Sequence, residues 1–370
     1  MQDAKIYHTA RWIRRFVALL GALLLLPLSR EAEARIWSEI APMNVPRTLF
    51  GSAVLDGKIF AVGGRSTAAL GSITQTVEVY DPSANTWSFR ADFPGSGDGV
   101  RACVVDGTLY AFGYRAEEVY AYDPDNDSWI QKAAMPADRA FPSVAVLEGK
   151  IYIMGGLSEG DGSFPSHADV FVYDVAADTW SEKAAMPTVS TTHDAEVVDG
   201  IIYLFGIDSV AGGGIRVDEG APVYAYDPVN DAWSQKTDMP IDRLKLATVM
   251  VDGLIYVLGG EPCETPDCLD VVQTYDPQTD RWAAAGSTGL RVGRADLEAV
   301  YLEGRIYALG GNVGSRNIGV ANAEALVLSH PLVQKASDTF YLRTGSNETR
   351  SLAVELQITL PTIRPFPTSA

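Results

Sequence analysis

Four arginines occupy one place in a recurring pattern. Arg47, Arg139, Arg243 and Arg294 each lie ten residues before the glycine of an acidic-Gly pair (Gly57, Gly149, Gly253 and Gly304). In two further copies the same position holds Gly97 and Ser190. Guanidiniums gathered on a concave surface would bind carboxylate or sulfate groups, by bidentate pairing in a focused field. Asp138 and Asp242, beside two of the arginines, offer the other outcome of ion pairs within the fold. Six residues before the same glycines stand Gly51, Arg101, Ser143, Asp194, Ala247 and Glu298. The charged three have the strand parity of the arginines and are expected to point into a shared channel. Two carboxylates near a cation suit acid/base chemistry if their pKa values are pushed apart. Otherwise they line a hydrated channel.

Other chemistries find little support. His167, His193 and His330 fall in different contexts, and His193 takes a position that is apolar in other copies, so no metal site is expected. No glycine-rich phosphate loop or serine elbow appears, and "AGGGIR" (211–216) reads as loop, so no cofactor is expected.

What must position these residues is a repeat. "VEVYDPSANTW" (77–87) returns as "VYAYDPDNDSW", "VFVYDVAADTW", "VYAYDPVNDAW" and "VQTYDPQTDRW", with tryptophans at 87, 129, 180, 233 and 282. Steps of 42 to 53 residues between short β-rich runs indicate a propeller. Before each copy runs a second element, such as "VLDGKIFAVGG" (54–64), and this one occurs six times. Its acidic-Gly pair between two strand-like runs is a two-residue hairpin, where positive φ is needed. Tyr-Asp-Pro then gives strand, turn opener and fixed φ. The residue two before each tryptophan (Asn85, Asp127, Asp178, Asp231, Asp280) is expected to bond its own turn. Each unit is a four-stranded antiparallel blade that must bury its faces against neighbours.

On these residues the chain resembles the kelch-repeat family, over roughly residues 35 to 330. The paired glycines at 63–64, 155–156, 259–260 and 310–311, the spaced tyrosines and the five tryptophans carry the resemblance. Tyr114 and Ile207 replace a second glycine, and Val175 replaces proline. The resemblance implies an all-β, six-bladed propeller, residues 35–331. The sixth unit lacks its tryptophan, and Trp37 in "RIWSEIAPM" supplies one, so an N-terminal strand is expected to close the ring.

Arg11, Arg14 and Arg15 precede the apolar run "FVALLGALLLLPL" and then "AEA", so residues 1–34 read as a secretory signal peptide. The mature chain is then exported, periplasmic or extracellular, and not embedded in a membrane. "EPCETPDC" suggests a loop disulfide between Cys263 and Cys268, while Cys103 reads as a buried thiol. Asn126 and Asn347 fit the glycosylation pattern. The 332–370 tail lies outside the repeats, with a strand suggested at 352–360. The whole chain carries 29 basic and 47 acidic residues, a net of −18, and without the leader 24 against 44. That balance excludes nucleic acid as a natural partner.

A closed ring leaves the rim and the axis for function. The leading expectation is an exported, monomeric binding module that holds a protein or an acidic glycan through rim loops and the arginine-lined mouth. Bacterial sialic acid mutarotases are kelch propellers that handle an anionic sugar with carboxylates and arginine, so isomerisation of a sugar acid is the alternative. Kelch copper oxidases need a tyrosine, histidine and cysteine-linked tyrosine set that Cys103 and His193 do not reproduce.

Overall fold

In the computed structural model the described residues are 37–66, 72–158, 165–191, 194–206, 221–262, 268–284, 289–314 and 318–328, with two further strands at 339–343 and 349–353. The chain divides into two compact units, Met1–Leu328 and Ser329–Ala370. The leader, His193, Cys263, His330 and most of the tail lie outside the described residues.

The first unit contains six four-stranded sheets. Their innermost strands are Gly51–Leu55, Arg101–Val105, Ser143–Leu147, Asp194–Val198, Ala247–Val251 and Glu298–Leu302, which define blades 1 to 6. Each inner strand touches the next, and the sixth touches the first, so the ring is closed. Every strand pair within the blades is antiparallel, as in blade 1, where Gly51 faces Val62 and Tyr80 faces Trp87. At every inner hairpin both central residues have positive φ, for example Asp56 at 50° and Gly57 at 69°. This double left-handed turn matches the twist of the strands it joins.

The sixth blade is completed from the other end of the chain. Trp37–Glu39 pairs with Ala323–Val327 in the register Trp37↔Leu326, Ser38↔Ala325 and Glu39↔Glu324. Trp37 is buried with Leu258, Leu297 and Leu326 between blades 5 and 6. Apolar clusters likewise fill the other five junctions between blades.

A polar staple recurs at five of those junctions. Tyr122 donates its hydroxyl to Asp127 Oδ1 (2.6 Å), and the same oxygen accepts the backbone N–H of Ala91 (2.9 Å) at the end of blade 1. Trp129 closes the bracket by donating its indole N–H to the Ala91 carbonyl (3.1 Å). The equivalents are Tyr80, Asn85 and Trp87 on Ala41, and Tyr173, Asp178 and Trp180 on Ala133. Tyr226, Asp231 and Trp233 hold Ala184, while Tyr275, Asp280 and Trp282 hold Thr237. These Asn and Asp residues therefore do not bond their own turn, as their turn chemistry had suggested. That bond belongs to the Asp of Tyr-Asp-Pro, with Asp81 accepting from Ser83 N–H at 2.9 Å and Asp227 from Val229 N–H at 2.9 Å. Asp174 makes the same bond to Ala176, so Val175 serves in place of proline.

In the second unit Thr339–Arg343 and Thr349–Ala353 form an antiparallel hairpin. The strand expected at 352–360 overlaps it only at its first two residues, and the remainder lies outside the described residues.

Removing one arm of a staple tests its contribution. Tyr226→Phe is expected to cost about 1 kcal/mol in chemical denaturation, the net value of one such bond. In an Asp231→Ala background the same change should cost much less, because the acceptor is already gone.

Candidate functional site

The repeated arginines lie in the blade walls. Arg47, Arg243 and Arg294 have no exposed surface and Arg139 has 3 %. Arg47 donates to the carbonyls of Gly63 (2.7 Å) and Thr76 (2.9 Å) and to Glu78 Oε1 (2.6 Å). Arg294 repeats this with Gly310, Asn322 and Glu324. Arg243 does so with Gly259, Val271 and the side-chain oxygen of Gln273. Arg139 pairs with Asp169 and lies over the Phe171 ring, 5.0 Å from its centroid. The guanidiniums of Arg47, Arg243 and Arg294 thus satisfy carbonyls at the top of their own blades, where the second and third strands part and leave main-chain acceptors unpaired, while Arg139 donates to the Asp138 carbonyl (2.7 Å) and to Asp169. The expected ligand-facing ring of Arg47, Arg139, Arg243 and Arg294 is corrected accordingly. The partners were visible in the sequence: Glu78, Phe171, Gln273 and Glu324 share one third-strand position, which is tyrosine (Tyr120, Tyr224) in the two blades without the arginine.

The axis holds the other predicted set. Arg101, Asp194 and Glu298 line one cavity of about 80 Å³ with Leu49, Phe141, Lys245 and Asp296. These three lie on blades 2, 4 and 6, and each reaches the next blade at or just before its inner strand. Arg101 Nε donates to the Pro142 carbonyl (2.9 Å). Thr248 N–H donates to Asp194 Oδ2 (2.7 Å), and Ser52 Oγ donates to Glu298 Oε2 (3.0 Å). Blades 1, 3 and 5 supply Gly51, Ser143 and Ala247 at the corresponding place. Large charged and small residues therefore alternate around the axis. A Cβ on Gly51 would come within 2.7 Å of the Ala102 nitrogen, so blade 1 has no room for more.

Arg101 differs from the wall arginines. Its Nη1 stands 3.8 Å from Glu298 Oε1, and 21 % of its side chain is exposed. Among the described residues its two Nη groups have no hydrogen-bond partner. The guanidinium is anchored at Nε, and its bidentate end faces the cavity.

Sequence reasoning missed a second tier. Leu49, Gly99, Phe141, Lys245 and Asp296 all have positive φ, from 48° to 56°. They stand two residues after five of the six ring positions, where a bulky residue in the left-handed region costs energy. Lys245 Nζ lies 2.8 Å from Glu261 and 4.0 Å from Asp296, which also accepts from Asn312 Nδ2 (2.7 Å). Tyr114, standing where four other blades have glycine, packs on Phe141 with ring centroids 5.0 Å apart. One side of the mouth is therefore apolar and the other charged. Glu196, two residues beyond Asp194, accepts from Thr248 Oγ1 (3.4 Å) and was also missed.

Burial pushes the Glu298 carboxyl up to about 8, with the Arg101 charge opposing it and Asp194 adding to it. Glu196 rises to about 8 through burial and the Asp194 charge. Asp296 rises to about 6 through burial, and Asp194 is raised for the same reason.

Outside the channel, Ser158 Oγ lies 2.7 Å from His167 Nε2, but Asp169 stands 3.7 Å from Nδ1 and is already held by Arg139. That trio lacks the oriented base of a nucleophilic relay. Cys268 is disulfide-bonded and Cys103 is free, with burial pushing its thiol pKa up. Among the described residues no helix is long and apolar enough to cross a membrane.

Six antiparallel blades closed around a charged axial cavity define a β-propeller. The chain belongs to the kelch-repeat family: the KLHDC2/KLHL20/DRC7 Kelch-repeats domain matches residues 51–235 and again 135–311. Kelch-like protein 25 of Xenopus tropicalis is 31 % identical over 263 residues, 66 % of this chain and 34 % of that protein. Kelch-like protein 34 of Homo sapiens is 29 % identical over 255 residues, covering 68 % and 31 %. Beta-scruin of Limulus polyphemus is 31 % identical over 152 residues, covering 40 % and 16 %. The chain thus spans about a third or less of the length of these relatives. The solved structure of YjhT superposes with a TM-score of 0.63 at 17 % identity, over 78 % of this chain and 97 % of that one, which is a likeness of fold.

Two stability measurements test these assignments. Arg243 is the wall cation without a carboxylate, and burial lowers its pKa to about 10. Gln273→Glu would supply the partner that Glu78 and Glu324 give in blades 1 and 6, and is expected to stabilise the chain by about 1–2 kcal/mol at pH 7. Arg294→Ala, which strands buried Glu324, should cost about 3–5 kcal/mol. The raised channel carboxylates set the pH dependence. Between the usual value of 4.5 and about 8, folded Glu196 and Glu298 hold protons that the unfolded chain has released. Stability therefore falls as pH rises through that window. The thermal midpoint should drop by several degrees from pH 5 to pH 9, and Glu298→Gln should reduce the drop.

Proposed function

We propose that this chain is an exported binding propeller whose partner presents an acidic group to the mouth of the channel. The observation that carries the reading is Arg101, whose Nη groups face the cavity while Arg47, Arg139, Arg243 and Arg294 are engaged in the walls. An acidic side chain of a protein loop, or the carboxylate of a sugar acid, would pair with that fork, and its apolar body would rest on Leu49 and Phe141. The sequence segments that follow the second strands are long and dissimilar, and specificity tends to reside in loops on a rigid scaffold. Export rests on the basic and apolar leader, and the mature chain would begin at Arg35, two residues before the closing strand.

A second reading, isomerisation of a sugar acid, is favoured by Glu298 beside Arg101. Opening of a cyclic hemiacetal needs one group to give a proton to the ring oxygen and another to take one from the anomeric hydroxyl. Glu298 and Asp194 are the channel groups suited to that exchange.

Both readings are tested on residues 35–370 with acidic peptides, sugar acids and their neutral counterparts. A partner that binds only the folded chain raises its thermal midpoint with concentration. Arg101→Gln should abolish the shift given by acidic ligands, whereas Arg47→Lys should leave any shift intact in a folded variant. Exchange between anomers of N-acetylneuraminate, followed by NMR, decides for or against turnover. Acidic ligands that shift the wild type and Arg101→Gln equally would remove the binding reading.

A further inference from the structure

We propose that the channel takes up an organic carboxylate together with a proton, the anion pairing with Arg101 and the proton going from solvent to Glu298. The inference rests on the acidic-ligand reading above and adds to it how that site is regulated.

The geometry leads to this on two counts. Arg101 is fixed at Nε by the Pro142 carbonyl, so its Nη fork has a set direction into the cavity. Glu298 Oε1 stands 3.8 Å from Nη1, beyond hydrogen-bond length, while Oε2 is held by Ser52 Oγ at 3.0 Å. A ligand carboxylate on the fork therefore comes beside Glu298 Oε1, which itself stands 3.8 Å from Nη1. Two carboxylates in such contact do not both stay ionised. With Glu298 as its neutral acid, the same oxygen donates a hydrogen bond to the ligand.

The surrounding groups act in the same direction. Blade 4 brings Asp194 and Glu196, blade 6 brings Asp296 and Glu298, and blade 2 brings Arg101 as its cation. Lys245 is divided between Glu261 and Asp296. Arg65 at the rim is held bidentately by Asp98 (2.8 and 2.7 Å), and Tyr114 stands nearby. Four channel carboxylates against two cations make an anion unwelcome unless protons accompany it. The elevated carboxyl of Glu298, at about 8, is consistent with one proton exchanging near neutral pH.

The experiment is calorimetric titration of residues 35–370 with D-glucuronate, whose charge is constant from pH 6 to 9, in two buffers of different ionisation heat. Neutral D-glucuronamide serves as the control. Affinity is expected to be about tenfold weaker at pH 9 than at pH 7, as for one linked proton with a midpoint near 8, with proton uptake at the upper end. Glu298→Gln, which imitates the protonated acid, should tighten binding at pH 9 towards the pH 7 value. Arg101→Gln should abolish binding; if it fails to fold, Arg101→Lys, which keeps the charge but not the fork, should weaken it at least tenfold. Binding that is independent of pH or tighter at pH 9, or equal binding of the amide, overturns the proposal. So does an absence of glucuronate binding at both values. The acidic-ligand reading is judged separately: it survives pH-independent binding that needs Arg101, and it falls if Arg101→Gln binds acidic peptides and glucuronate as the wild type does.

Discussion

One carboxylate or amide oxygen, repeated five times, holds the ring together. Each accepts a tyrosine hydroxyl from its own blade and a backbone N–H from the blade before, and the neighbouring tryptophan returns a hydrogen bond to the same residue. Apolar packing between blades is non-directional and would tolerate sliding. The staple supplies the direction. It fixes where the end of one outer strand meets the next blade, and so where the chain turns inward to begin the following inner strand. The positions of Arg101, Asp194 and Glu298 around the axis follow from that register.

The blade without a staple of this kind among the described residues is the sixth, where Leu326 replaces the tyrosine. Its closure depends on three residues from the N-terminal end, with Trp37 buried between blades and Glu39 paired to Arg291 at 2.8 Å on the surface. Closure by a distant strand removes the two open edges that an unclosed ring would present. It also makes the last blade dependent on two parts of the chain that lie nearly three hundred residues apart, a costly contact to find during folding.

Most of this fold was legible in the sequence, because a motif written five or six times reports local geometry at each copy. Acidic-Gly hairpins, the closing strand at Trp37 and the axial position of Arg101, Asp194 and Glu298 all follow from spacing and strand parity. Roles that depend on a partner elsewhere in the blade were harder to see. The arginine ring looked free because its acceptors are chiefly backbone carbonyls, which leave no mark in a sequence. Only the link between an arginine and Glu78, Gln273 or Glu324 some thirty residues later could have shown it. Lys245 and Asp296 escaped notice for another reason: they lie in the turn before each inner strand, where the positive φ of Leu49 or Phe141 has no residue signal. Tyr114 appeared as a departure from the glycine pattern, and in the structure it is an aromatic surface at the mouth.

The alternation of large and small side chains at the axis bears on how such a ring can change size. Arg101, Asp194 and Glu298 each lean across a neighbour that is small, so the true unit at the axis is a pair of blades. A ring with an odd number of blades cannot alternate all the way round; somewhere two bulky groups, or two small ones, must stand side by side. The first case is a collision and the second a hole. Gain or loss of a single blade would thus frustrate the axis even if every junction on the outside were repaired, whereas a step of two blades would preserve its pattern.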